Sequence, residues 1–264
     1  VIENINSLIY LTVSFIASVI GSISGIGGGV VIKPSLDALN RDPIASINFL
    51  SGCTVFAMSI VTVLRNLRAG IKLDLRVSVT IGVGAIFGGI AGGKLFSLAE
   101  NRVADPSHLA IFQSAIMLLI CVIVLAYLHN KERINNLNLT QLWVLFLIGL
   151  SLGIISTFLG IGGGPLNLLV LYYFLSMDEK NAAMNSIFMI FLSQFASLIT
   201  LVAGRSIPNF DPLTLILMII GGITGALLGT FINKKISNQG VAKLFRLVLI
   251  LLIVINSLNI IKFL

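Results

Sequence analysis

The chain has 264 residues, of which 57% are hydrophobic and only 10% charged, with a mean hydropathy of +1.06 and a formal charge of +7. A soluble domain carries about 25% charged residues, so this composition describes an integral membrane protein. The basic residues sit in short interhelical loops, as in cytoplasmic loops facing anionic lipid, which excludes nucleic acid as the partner of that charge and makes the lipid bilayer the surroundings.

The first predicted span covers 8–25. It lacks a basic leader and a small-residue cleavage site, and so reads as a retained span. It runs into "SGIGGG", and a short apolar stretch, 30–39, follows; at this length it is a half-helix or re-entrant segment. Further spans are predicted over 44–64, 77–97 and 109–128. The pattern then repeats. A span at 142–159 ends in "LGIGGG", a second short stretch occupies 165–177, and spans follow at 182–203, 213–233 and 244–263. Each of the eight long runs approaches the ~20 apolar residues that cross a bilayer as a helix. They lack the short alternating segments of a β-barrel. The expected fold is an all-α polytopic membrane protein, with eight full spans and two short glycine-broken helices.

An internal repeat organises these elements. IGGG at 26–29 matches IGGG at 161–164, Asn48 falls on Asn185, and the ladder Gly84, Gly88, Gly92 falls on Gly221, Gly225, Gly229. Two such ladders after two such motifs point to duplication. The expected repeats are 1–134 and 135–264, forming one integrated transmembrane unit. If the short stretches dip and return, each half has four crossings and the basic residues divide almost evenly between the faces. If they cross, each half has five, the halves are inverted, both termini lie outside, and the seventeen basic residues divide eleven against six. The positive-inside rule favours the inverted arrangement.

A glycine run inside a membrane breaks the helix and leaves backbone N–H groups that must face protein or a polar cavity. The helix that follows starts with free donors and the positive end of its dipole, a geometry that attracts anions. Two such breaks approaching from opposite faces would grip one anion. The candidate binding residues are therefore Gly27, Gly28, Gly29, Gly162, Gly163 and Gly164. Lys33 joins them as the charged residue nearest the breaks, although snorkelling to the headgroups explains it equally well. Asn48 and Asn185 occupy matched positions, where helix–helix hydrogen bonding is the competing role. Asn167, Ser24 and Thr157 flank the breaks. All ten acidic residues are expected at or beyond span ends, leaving no embedded carboxylate to relay protons.

Other chemistries fit poorly. GIGGGV follows a helix rather than a strand, and the acidic partner of a dinucleotide loop is missing. Cys53 and Cys121 lie in mid-span with neither a CxxC nor a nearby histidine, so neither a disulfide framework nor a metal site is expected. The chain reads as a non-enzyme without cofactor.

The two G-x-G-G-G copies (Gly25, Gly27, Gly28, Gly29 and Gly160, Gly162, Gly163, Gly164), Pro34 and the twofold layout over the whole chain resemble the TauE/SafE family of sulfite and organosulfonate exporters. The resemblance implies permeases of the bacterial inner membrane that carry small sulfur-containing anions without an attached ATPase. Pro165 stands where the first copy has Val30, which removes one N–H donor from the second cradle. The expected function is a secondary transporter of sulfite or sulfonate-type anions by alternating access; a passive anion channel is the alternative. The glycine ladders leave a homo-oligomer open.

Overall fold

A computed structural model describes residues 2–39, 41–70, 73–102, 106–131, 133–134, 136–161 and 163–263. Among these residues ten helices follow in order: α1 (Ile2–Ser24), α2 (Gly29–Leu39), α3 (Ile44–Arg68), α4 (Leu75–Arg102), α5 (Pro106–Asn130), α6 (Leu142–Leu159), α7 (Gly164–Tyr173), α8 (Glu179–Ala203), α9 (Pro212–Lys235) and α10 (Asn238–Phe263). Eight are long and apolar enough to cross a membrane, and α2 and α7 are the two short helices anticipated after the glycines. Large apolar side chains such as Leu119, Trp143, Leu247 and Ile261 stand on the outer surface. Such a surface needs lipid to cover it.

The halves exchange partners. The two most extensive helix pairings join α4 to α6 and α1 to α9, and the glycine ladders line both. A methyl group on Gly88 would lie 2.0 Å from the Leu150 carbonyl oxygen, and one on Gly225 would lie 2.4 Å from that of Phe15. Only a missing Cβ lets the backbones come this close. The ladders thus pack within one chain, each fastening one half to the other.

Contacts in register give the helix directions. Along α4 and α6, Gly84, Gly88 and Gly92 meet Phe146, Leu150 and Ile154 in turn; along α9 and α1, Gly221, Gly225 and Gly229 meet Leu11, Phe15 and Val19. Both pairs are parallel. Helices α1 and α3 also run together: Gly222 faces Ser18 and Thr54, and further along both helices in the same direction the Ser22 and Thr62 hydroxyls lie 2.9 Å apart. Ser78 bonds Asn185 while Gly82 meets Leu192, so α4 and α8 are parallel. By contrast, α3 and α8 are antiparallel, with Gly52 beside Gln194, Phe56 stacked on Phe191 and Val63 packed with Met184 and Ile187. Helices α1, α3 and α9 therefore share one direction, and α4, α6 and α8 take the other. Between two helices of the same direction, α2 and α7 must each carry the chain back.

Candidate functional site

The two breaks meet at the centre of the molecule. Gly25 and Gly160 both end a long helix in the left-handed region, with φ of 81° and 68°, where glycine avoids the Cβ clash. A methyl on Gly29 would come within 3.0 Å of the Ile161 carbonyl oxygen, and one on Gly164 within 3.0 Å of that of Ile26. These are equivalent positions of the two motifs, so the breaks touch reciprocally. The N-termini of α2 and α7 converge there, bringing two positive dipole ends into one place.

Around this centre the candidate residues separate into two groups. Asn48, Thr157 and Gly160 line a cavity of about 650 Å³. The buried Asn48 Oδ1 has no hydrogen-bond partner among the described residues. A methyl on Gly160 would lie 2.3 Å from that oxygen and 3.2 Å from Lys33 Cδ, which places the lysine stem directly behind the glycine. The cavity walls also carry Gln194, Ser197, Thr200, Lys94 and Glu100. Sequence reasoning missed these five because they come from α4 and α8, and only the tertiary fold brings those helices beside the break.

The other group is buried in structural contacts. Gly27, Gly28 and Gly29 are enclosed, and the Gly28 N–H donates to Met58 Sδ at 3.3 Å. Gly163 is covered by the Asn167 side chain and Gly164 by Val30. Ser24 bonds its own helix at Ile20 O. Asn185 accepts from the Asp74 N–H and the Ser78 hydroxyl and donates to Asn181 O. Gly162 lies outside the described residues.

Lys33 lies inside the bundle and is paired. It is 3% exposed, and its Nζ donates to Asp37 Oδ2 at 2.6 Å, one helical turn on. It is neither snorkelling nor an isolated cation. Asp37 stands in the last turn of α2, at a segment end as expected, yet it is 5% exposed. The reason is geometric: α2 stays inside the bundle to its last turn, flanked by α1, α3 and α10, and Lys33 at i−4 supplies the counter-charge that makes burial tolerable. The Lys-x-x-x-Asp spacing was the available signal.

A family model described as "Sulfite exporter TauE/SafE" matches residues 10–256. A probable membrane transporter protein of Methanocaldococcus jannaschii is 28% identical over 245 residues, covering 86% of each chain. The probable membrane transporter protein YunE of Bacillus subtilis is 24% identical over 265 residues, covering 93% of this chain and 95% of its own. No solved structure matches the chain significantly.

Proposed function

Because the chain belongs to the TauE/SafE family, and the relatives it matches are probable membrane transporter proteins, we propose that it carries a small oxyanion, of the sulfite or sulfonate class, by alternating access around its two glycine breaks. The observation that carries this reading is the cavity lined by Asn48, Thr157 and Gly160, with the Lys33 stem packed beside Gly160. Its polar walls, the neighbouring helix N-termini and the lysine suit an anion. Rotating the Asn48 carboxamide presents N–H donors at the same place as its oxygen.

The directions of α1, α3, α4, α6, α8 and α9 support reading 1–134 and 135–264 as an inverted duplication. The ends of α3 and α9 and the starts of α8 and α10 carry Arg65, Arg68, Lys180, Lys234, Lys235 and Lys243, and Lys131 bonds Glu179 at 3.2 Å on the same face. By the positive-inside rule that face is cytoplasmic, so the cavity opens outward. The inward counterpart is closed: Gly25 abuts Ala183, whose Cα a methyl would approach to 2.3 Å. A seal on one face favours a carrier over a continuous pore. The test is flux in proteoliposomes. Uphill accumulation of labelled sulfite or a sulfonate under an imposed gradient is the expected result; large single-channel currents without accumulation would establish a channel instead.

A further inference from the structure

Among the described residues, Lys33 and Asp37 are the only buried charged side chains. Asp37 uses Oδ2 for Lys33, and its Oδ1 is buried without a hydrogen-bond partner among the described residues. It also lines a second, small cavity of about 100 Å³, shared with Asp42, Pro43, Ile47, Ser107 and Phe263. Asp42 and Pro43 are exposed, so this cavity lies between the surface and the unused carboxylate oxygen. On its far side the lysine stem packs behind Gly160, which lines the anion cavity. One ion pair thus stands between two cavities.

The geometry points to Asp37 as a proton-binding site that couples anion binding to proton uptake, with Lys33 as the cation shared between carboxylate and anion. This rests on the anion-transporter reading. In the empty protein Lys33 neutralises Asp37. Because Cδ is already against Gly160, turning the last side-chain torsions carries Nζ from Asp37 towards the anion cavity. An anion that draws the ammonium away leaves Asp37 as an uncompensated buried charge, which is strongly unfavourable. A proton arriving through the small cavity removes that cost by forming an O–H bond on Oδ1, while Lys33 keeps all of its protons. The net event is one anion and one proton taken up together.

The neighbouring charges leave this exchange to the pair. From α1, the Tyr10 hydroxyl donates to Asp42. The loop after α2 adds Arg41 and Asp42, both exposed. From α10, Lys262 Nζ donates to Ala38 O at 2.6 Å. The start of α5 brings exposed His108 next to Ser107. The only ionisable side chains of α3, apart from Cys53, are Arg65 and Arg68 at its opposite end, and α6 carries none.

Methanesulfonate is the probe for the test, because it stays ionised throughout the accessible pH range and any proton taken up belongs to the protein. Wild-type protein in proteoliposomes holding a pH-sensitive dye is expected to take up one proton per methanesulfonate. Asp37→Asn is expected to abolish that proton uptake, and to make anion affinity independent of pH and about tenfold tighter at neutral pH. Lys33→Gln/Asp37→Asn removes both buried charges and guards against misfolding of the single variant; it should bind the anion weakly and also without pH dependence. Proton uptake that persists in either variant overturns the proposal. An infrared difference spectrum gives a second readout: the protonated-carboxyl band that methanesulfonate induces in the wild type should be absent in Asp37→Asn, and its persistence would assign the proton elsewhere. Methanesulfonate flux without protons in the wild type overturns the coupling alone. Absence of any flux, with sulfite as well, overturns the transporter reading and the coupling with it.

Discussion

The two glycine breaks share a motif, a left-handed glycine at the end of a long helix and a short helix beyond, yet their surroundings differ. At the second break Gly160 faces an open cavity, and its neighbour Asn48 has an unmatched carboxamide oxygen. At the first, Gly25 is pressed against Ala183, its carbonyl accepts from the Ser186 hydroxyl at 2.6 Å, and Asn185 is held by three hydrogen bonds. One sequence pattern thus supports an open and a closed environment in the same molecule. Under the alternating-access proposal, transport exchanges these two environments between the halves.

The largest effect is expected where the breaks touch. Gly164 sits at φ 23°, and an added methyl would meet Val30 Cγ2 at 2.1 Å. Gly164→Ala should cost about 2–4 kcal/mol through backbone strain and overpacking. Gly29 has no left-handed φ, and its methyl would meet Val55 Cγ2 at 2.9 Å and Ile161 O at 3.0 Å, so Gly29→Ala should cost less. Thermal unfolding in detergent measures both. Adding Val30→Ala should recover part of the Gly164→Ala loss and none of the Gly29→Ala loss. Equal effects, or none, would mean that the breaks do not interlock as described.

The asparagines sharpen the contrast next. Asn185→Ala removes the acceptor of the Asp74 N–H and the Ser78 hydroxyl and should destabilise by about 1–3 kcal/mol. Asn48→Ala removes a side chain with an unsatisfied oxygen, so its stability should stay within about 0.5 kcal/mol of wild type, while anion affinity falls about tenfold, as expected for one lost hydrogen bond to a charged group. Paired unfolding and binding titrations separate the two outcomes. The opposite pattern would exchange the assignment of the open and closed halves.

Much of this contrast was legible in the sequence, and the rest was not, for a physical reason. Hydropathy placed the eight spans, and the glycines placed the breaks, because both depend on local composition. The matched asparagines were visible too, but their difference was not. Whether Asn48 faces a cavity or Asn185 faces Ser78 depends on which helix lies opposite, and a pseudo-symmetric sequence carries no mark of the asymmetry. The same holds for Gln194 and Lys94, ordinary residues until α8 and α4 flank the cavity. The burial of Asp37 was not legible either, because position at a helix end does not set exposure, and α2 is short and enclosed on several sides.

The smallest expected effect concerns helix caps on opposite faces. Asp178 caps α8 on the closed face by accepting from the Lys180 and Asn181 N–H groups, and Asp211 caps α9 on the open face by accepting from the Leu213 and Thr214 N–H groups and the Thr214 hydroxyl. Each should contribute about 1 kcal/mol, measured by replacement with alanine. The Thr214 hydroxyl and amide hold the Asp211 carboxyl below its ordinary pKa. A depressed folded-state pKa stabilises the protein when the group is ionised, so this contribution is complete above the unfolded value of ~3.9 and fades as pH falls through the lower folded value. The gap between wild type and Asp211→Ala should therefore stay constant from about pH 7 to pH 5 and close only at more acidic pH. A gap that closed near neutrality would place the transition on another group and detach the α9 start from this cap. Because Asp211 lies just beyond Pro208 on the cavity wall, loss of the cap would also loosen the open face while leaving the closed one intact.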